Sequence, residues 1–491
     1  MSVPIGEQLR RRKPIVFQHM HHKGEELARN MGTFQLMMFG VGATVGTGIF
    51  FVLSEAIPKA GAAVIISFII AAAAAGLSAL CYAEMASAIP VSGSTYSYTY
   101  HALGEGAAVL IAGCVLLEYG VAVSAVAVGW SGYFNELLHS LFGFTLPRAL
   151  SISFVPGVDG AATGGIVNLP AMILILLCML LLLRGASESA TVNAIMVLIK
   201  LGVLVLFTII GFSAFNADHF SNFFAQAAGI SAAAGTIFFS FIGLDAVATA
   251  GEEVKNPQKA LPRAIIGALL IVTVIYIMVA AAGIAAKPVE FFSTEAAGEA
   301  GLAKILADVT GNQIWSTILA AGAVISIFSV TLVTLYGQTR ILFAVGRDGL
   351  IPKKFLQVNQ KTMTPTYNTV FVSVLVAIVS GFVPADYLWD TVSIGTLMAF
   401  TVVAISIMVL RRTHPDLERP FKVPLYPVVP ILTVIACVYV LSGLAAVTWA
   451  IFGGWMIVVW AYYWFYGRRH ATLNTYKSLE EIAEPKGKDD E

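Results

Sequence analysis

Gly42-Ala43-Thr44-Val45-Gly46-Thr47-Gly48-Ile49-Phe50 interrupts the first long apolar run of the chain. Glycine inside a helix costs about 1 kcal/mol relative to alanine. Three glycines within this stretch make a weak point in a run otherwise long enough to cross a bilayer. Irregular backbone at that depth is tolerated only where it lines a cavity or is buried in protein. A break near Gly46 starts a second half-helix near Gly48. Its first amide N–H groups have no intrahelical partner and carry the positive end of the helix dipole, which makes an anion site suited to a carboxylate. Carbonyls freed from the first half-helix suit an ammonium group, so one break offers both poles to a zwitterion. Gly42 and Gly46 also have the spacing of close helix packing, and both readings fit the stretch.

The rest of the chain sets the class. Of 491 residues, 58% are hydrophobic and 12% charged, against about 25% charged in ordinary soluble domains. Twelve helical spans are predicted at about 33–54, 62–85, 107–137, 167–184, 189–215, 232–250, 263–286, 314–344, 369–383, 388–410, 428–444 and 448–466, most of them sized for a hydrocarbon core of about 30 Å. With an even number of spans both termini share one side. Putting them in the cytoplasm leaves Lys59, Arg148, Lys287 and Lys304 outside and Lys200 within the membrane, so 24 of the 29 Lys and Arg fall inside. The zero net charge argues against nucleic-acid binding. No cleavable signal peptide is expected, since the first 30 residues are polar and basic. They read as a solvated basic arm, with a short amphipathic piece at the membrane face as the alternative. Residues 470–491 read as a charged tail. Cys81, Cys114, Cys178 and Cys437 lie in or beside apolar runs without metal-ligand spacing and read as buried free thiols.

The sixth span repeats the interruption. Thr236-Ile237-Phe238-Phe239-Ser240-Phe241-Ile242-Gly243-Leu244-Asp245-Ala246 carries a glycine and an acid at its centre. It lies five spans after the first, so the two run in opposite directions, and paired interruptions of this kind mark inverted-repeat transporters. Phe239 precedes Asp245 by less than two turns and could cover a bound substrate as a gate; packing is the plainer use of a phenylalanine. Asp245 could hold a helix end, couple an ion or touch substrate.

Three charges sit inside spans, namely Glu118, Lys200 and Asp245. On insertion scales Lys or Asp at mid-membrane costs at least ~2.5 kcal/mol, and such residues are functional by default. Burial disfavours the charged form of a lysine, which suits Lys200 to carry a coupled proton; a fixed cation on carbonyls of the first helix is the structural alternative. Glu118 could bind a basic side chain, relay a proton or pair within the bundle.

Further runs follow in order: Tyr82-Ala83-Glu84; Pro90-Val91-Ser92-Gly93-Ser94; Arg184-Gly185-Ala186-Ser187-Glu188-Ser189-Ala190 with Asn193; Gly251-Glu252-Glu253-Val254-Lys255-Asn256-Pro257; Gln338-Thr339-Arg340 with Arg347-Asp348-Gly349-Leu350; and Arg419-Pro420-Phe421-Lys422-Val423-Pro424. Together with Gly46-Thr47-Gly48-Ile49-Phe50 and Gly243-Leu244-Asp245, the chain resembles the amino acid–polyamine–organocation superfamily, in particular the bacterial relatives of the cationic amino acid transporters. The resemblance covers nearly the whole chain. It implies an all-α integral membrane protein with a LeuT-like fold: five plus five inverted repeats with helices 1 and 6 broken, then two more helices, twelve in all. The corresponding divisions are an arm at 1–30, a transport core at 31–410, helices 11 and 12 at 411–469 and a tail at 470–491. It further implies that the amides around Gly46, Thr47 and Gly48 hold the substrate carboxylate, that backbone near Phe239 and Ile242 holds the amine, and that Phe239 is the gate; Thr44 and Val45 are expected to bind substrate beside them. Lys200 would stand in the place of a sodium ion, with Glu118 and Tyr276 matching an acid and a tyrosine of relatives; Asp245, as a buried acid, is expected to join them in proton coupling.

The side-chain pocket is expected between helices 3, 6, 8 and 10, with Ser326, Ser329 and Val330 as candidates on helix 8. The function expected is import of small neutral or cationic L-amino acids across the cell membrane by proton symport, with no cofactor beyond the proton and no metal. An exchanger is the alternative, and a non-transporting sensor is the reading from another class. No triad, metal cluster or phosphate loop points to an enzyme. Glu252, Glu253, Lys255, Lys259, Arg347 and Asp348 could form inner-gate ion pairs or remain solvated. The partners expected are the amino acid and the lipid bilayer; a small membrane-protein partner has no signature in the sequence.

Overall fold

In the computed structural model, residues 4–14, 31–91, 93–155, 164–184, 189–251, 254–293, 301–359, 361–362, 364–442, 444 and 446–475 are described. Ser92, Gly185 to Glu188, Glu252 and Glu253 from the runs above lie outside them, as does the side chain of Thr47. A short α1 (Ile5–Arg10) precedes the first span, which consists of α2 (Thr33–Thr44) and α3 (Thr47–Ala60). Then come α4 (Val64–Ala88), α5 (Ser94–Ala102), α6 (Glu105–Phe142), α7 (Arg148–Ser151), α8 (Leu169–Arg184) and α9 (Ser189–Ser213). The sixth span is α10 (Ile230–Phe238), a 3-10 turn at Phe239–Phe241 and α11 (Ala246–Thr249). Beyond it lie α12 (Pro257–Ala286), α13 (Val289–Phe292), α14 (Gly301–Thr310) and α15 (Gln313–Arg347). The chain continues through α16 (Thr366–Phe382), α17 (Ala385–Thr413), α18 (Val428–Ser442), α19 (Ala446–Tyr462) and α20 (Arg468–His470). A two-residue hairpin, β1 (Val358–Asn359) with β2 (Thr364–Pro365), precedes α16.

The protein is all-helical and built for a membrane. Among the described residues, eight helical stretches are long and apolar enough to cross one, and three shorter apolar helices lie at Leu169–Arg184, Thr366–Phe382 and Val428–Ser442. Large side chains such as Leu198, Ile209, Leu270 and Ile457 point outward, as lipid-facing residues must. The long helices pack in two groups: α2, α3, α4, α10 and α12 form one, and α6, α8, α15 and α16 the other, with α17 against α6. Between them α9 touches α2, α12 and α15.

Two of the sequence runs meet at one end. Glu84, buried near the end of α4, accepts from Arg411 Nε at 2.8 Å and from the Val423 amide at 2.7 Å, while Arg419 lies 3.7 Å away. Arg419 also donates to the Leu410 and His414 carbonyls, a second donor at the end of α17 for carbonyls that the His414 and Leu417 amides already reach.

The described part of the N-terminal arm, residues 4–14, differs from the solvated anchor expected of residues 1–30. Arg11 lies 2.6 Å from the fully buried Glu105, and Lys13 lies 2.6 Å from Asp348 at the end of α15. Tyr100 and Tyr463 donate to Glu105, Tyr96 donates to Asp348, and Gln8 donates to the Arg468 carbonyl. The reason is topological: α5, the start of α6, the end of α15 and the chain after α19 converge on one face, and their two acids need cations. Asp348 is thus paired with the arm. Residues 470–475 pack there too, with the Thr472 amide on the Asp348 carbonyl; the tail beyond lies outside the described residues.

Candidate functional site

α2 ends at Thr44 and α3 begins at Thr47, leaving Val45 and Gly46 non-helical. The sixth span unwinds from Ile242 to Asp245. Gly243 has φ +103°, and a Cβ there would lie 2.7 Å from the Ala43 carbonyl oxygen, so only glycine lets the two breaks approach this closely.

One cavity opens beside them. It is lined by Ala43, Thr44, Gly46 and Gly48 from the first span, and by Phe239, Ser240, Ile242, Gly243, Asp245 and Ala246 from the sixth. Glu118, Tyr119, Ala122 and Val126 of α6 and Val330 and Thr334 of α15 complete it. Both acids are essentially sealed from solvent, Glu118 at 1% and Asp245 at 3% exposure. Tyr119 donates to Asp245 Oδ2 at 2.8 Å. Among the described residues, the other Asp245 oxygen, both Glu118 oxygens and the Ser240 hydroxyl make no hydrogen bond of good geometry. Buried polar atoms are nearly always satisfied, so this cluster marks where a ligand, a proton or water completes the site.

On the other side of the first break lies a second set. Lys200 Nζ, at 0% exposure, donates to the carbonyls of Gly42 at 2.7 Å and Val45 at 2.9 Å. Ser326 Oγ donates to the same Val45 carbonyl at 3.3 Å. The Tyr276 hydroxyl bridges the two breaks, 2.9 Å from the Thr44 carbonyl and 3.0 Å from that of Ser240. The carbonyls that unwinding releases are therefore taken by Lys200, Ser326 and Tyr276, and the cavity faces what remains.

A family model described as amino acid permease matches residues 31–466. The chain belongs to the amino acid permease family. It is 40% identical over 466 residues to a methylthioribose transporter of Bacillus subtilis (strain 168), covering 94% of this chain and 99% of that one. It is 41% identical over 452 residues to a branched-chain amino acid permease of the same organism, covering 92% and 95%. A vacuolar cationic amino acid transporter 4 of Arabidopsis thaliana is 36% identical over 418 residues, covering 83% of this chain and 67% of its own. The permease is accordingly a multi-pass membrane protein of amino acid transport.

Of the residues singled out by sequence, Thr44, Gly46, Gly48, Phe239, Ile242, Val330, Glu118 and Asp245 line the permease's cavity. Val45, Ser326, Lys200 and Tyr276 do not; they form the bonded set behind the break. Ser326, expected in the side-chain pocket, is drawn away by the free Val45 carbonyl. Ser329 bonds Asn193 instead of facing the cavity. The tenth span, expected in the wall, contributes no lining residue among the described ones; it approaches through Gly395, where a Cβ would lie 3.0 Å from that of Glu118. Sequence reasoning missed Tyr119, Ala122, Val126, Ser240 and Thr334. Two of the α6 residues were recoverable from Glu118: Ala122 and Val126 follow it at i+4 and i+8, one helical face.

Proposed function

We propose that the permease imports small neutral or cationic L-amino acids by proton symport, through alternating access in a LeuT-like frame of five plus five inverted repeats followed by two helices. Both termini lie in the cytoplasm and the membrane is the cell membrane. The observation that carries this reading is Lys200 on the Gly42 and Val45 carbonyls. A protonated lysine has three donors and no acceptor, and two of them hold the broken end of α2. Loss of the proton removes the charge that strengthens both bonds. Protonation and the placement of the first half-helix are thereby coupled, and a site at the break senses the same coupling.

The substrate carboxylate sits on the free amides at the start of α3, where the helix dipole favours an anion. The ammonium group takes backbone oxygens of the unwound sixth span near Phe239 and Ile242, and Phe239 closes over the bound molecule. The apolar wall of Ala122, Val126 and Val330 suits short aliphatic side chains. Glu118 and Asp245 offer a counter-charge to a cationic one, or a relay for the proton. Relatives named for branched-chain and for cationic amino acids support testing both classes.

The test is uptake of labelled alanine, leucine and arginine into proteoliposomes under an inward proton gradient or a sodium gradient, for wild type and Lys200→Met. Proton-driven accumulation that the variant loses is the expected result. Accumulation driven by sodium, or uptake seen only against preloaded amino acid, would replace symport with a sodium-coupled carrier or an exchanger.

A further inference from the structure

The run ending at Asn193 finds no use in the reading above, although its last residue lies close to the coupling lysine. Asn193 and Lys200 are seven residues apart on α9, about two turns, and so share a face. Asn193 is buried, and its Oδ1 accepts from Ser329 Oγ on α15 at 2.8 Å. Across from it lies Gly42. A Cβ built on Gly42 would stand 3.1 Å from both amide atoms of Asn193 and 3.1 Å from Val197. The backbone of α2 thus rests on the Asn193 amide as closely as a glycine permits. The carbonyl of that same Gly42 accepts from Lys200 at 2.7 Å.

Three helices are linked pairwise around this point. Lys200 joins α9 to α2, Ser326 joins α15 to α2 through the Val45 carbonyl, and Asn193 with Ser329 joins α9 to α15. Each of the two residues whose carbonyls Lys200 uses has a second neighbour from the triangle: Ser326 bonds the Val45 carbonyl, and the Asn193 amide lies against the Cα side of Gly42. Single polar bonds between membrane helices contribute little to overall stability, so the value of this one is in placement.

We propose that Asn193, clamped by Ser329, is a positioning residue for Lys200, holding the Gly42 carbonyl at the distance its ammonium requires. The proposal rests on the proton-symport reading. It assigns Asn193 no contact with substrate, so proton-driven accumulation and proton-independent exchange respond differently when it is altered.

The experiment compares both activities in proteoliposomes for wild type, Asn193→Ala, Ser329→Ala, Ser329→Thr and the double Asn193→Ala/Ser329→Ala. By analogy with residues that orient the ligands of a metal, each alanine variant is expected to lose about tenfold in proton-driven accumulation while exchange with preloaded amino acid stays within about twofold. The double variant is expected to be no worse than either single one, and Ser329→Thr, which keeps the hydroxyl, to retain accumulation. Wild-type accumulation in both single variants would overturn the proposal, and so would an equal fall in accumulation and exchange, the mark of a general packing defect. A wild type that exchanges but never accumulates on a proton gradient would overturn the symport reading itself.

Discussion

The Tyr119 hydroxyl donates to Asp245 Oδ2 at 2.8 Å, fastening α6 to the unwound end of the sixth span. The second Asp245 oxygen makes no hydrogen bond of good geometry among the described residues, and Asp245 lines the cavity together with Glu118. Tyr119→Phe removes the donor and leaves a buried oxygen unmet, at a cost of about 1–3 kcal/mol. Substrate half-saturation is expected to rise about tenfold, since about 1.4 kcal/mol corresponds to one decade. An unchanged half-saturation in a binding or uptake assay would show that Asp245 needs no orienting.

Tyr276 holds the two breaks together through the Thr44 and Ser240 carbonyls. Tyr276→Phe leaves both without that donor while the ring keeps its edge-on contact with Phe241, 5.3 Å between centroids. Transport is expected to fall about tenfold or more, as geometry at a site that must be pre-organised loosens. Uptake normalised to the amount of protein in the membrane checks this, and a full rate would sink it.

Arg11 and Glu105 tie the N-terminal arm to the start of α6. Removing one partner of a buried pair typically costs about 3–5 kcal/mol; Arg11 keeps 13% side-chain exposure, so the lower end applies. Arg11→Ala is expected to lower the melting temperature in detergent by several degrees, at about 2–4 °C per kcal/mol for a large chain. Glu105→Gln, which keeps acceptors for Tyr100 and Tyr463, should lose less than the pair removed together.

His101 on α5, between the second and third spans, gives the end of the bundle that holds the N-terminal arm a pH dependence. Its Nδ1 donates to the Lys13 carbonyl at 2.7 Å. Burial, and then the nearby Lys13 charge, lower its pKa from 6.5 to about 4. The folded protein therefore keeps His101 neutral at pH values where the unfolded chain binds a proton. Its contribution to stability is fully present above about pH 6.5 and is lost as pH falls toward about 4, on the order of 3 kcal/mol in all. His101→Gln is expected to flatten the melting temperature between pH 6.5 and pH 4.5 relative to wild type. An equally steep decline in the variant would place the acid sensitivity elsewhere.

Much of this was written locally in the chain. Apolar runs of membrane length in a sequence with 12% charged residues have the bilayer as their only suitable solvent. Glycine density marks the Gly42–Gly48 break because its cause is intrinsic to each residue. Glu118, Lys200 and Asp245 stand out because a charge in an apolar run is costly wherever the helix ends up.

Which side of the break each group serves was not legible. Helices such as α6 and α15 are apolar on every face, so periodicity carries no stripe to show which residues meet the cavity; Tyr119 and Thr334 emerge only once α6 and α15 are packed. The same holds for Ser326, expected near substrate as a residue of helix 8 and drawn instead to the Val45 carbonyl that Lys200 also holds. The ties of Arg11 to Glu105, Lys13 to Asp348 and Arg411 to Glu84 span 94, 335 and 327 residues. Local chemistry prescribed a membrane protein with a broken first helix and three costly charges. The partners of those charges were settled by tertiary packing, because a hydrogen bond depends on angstrom-scale placement that no single segment contains.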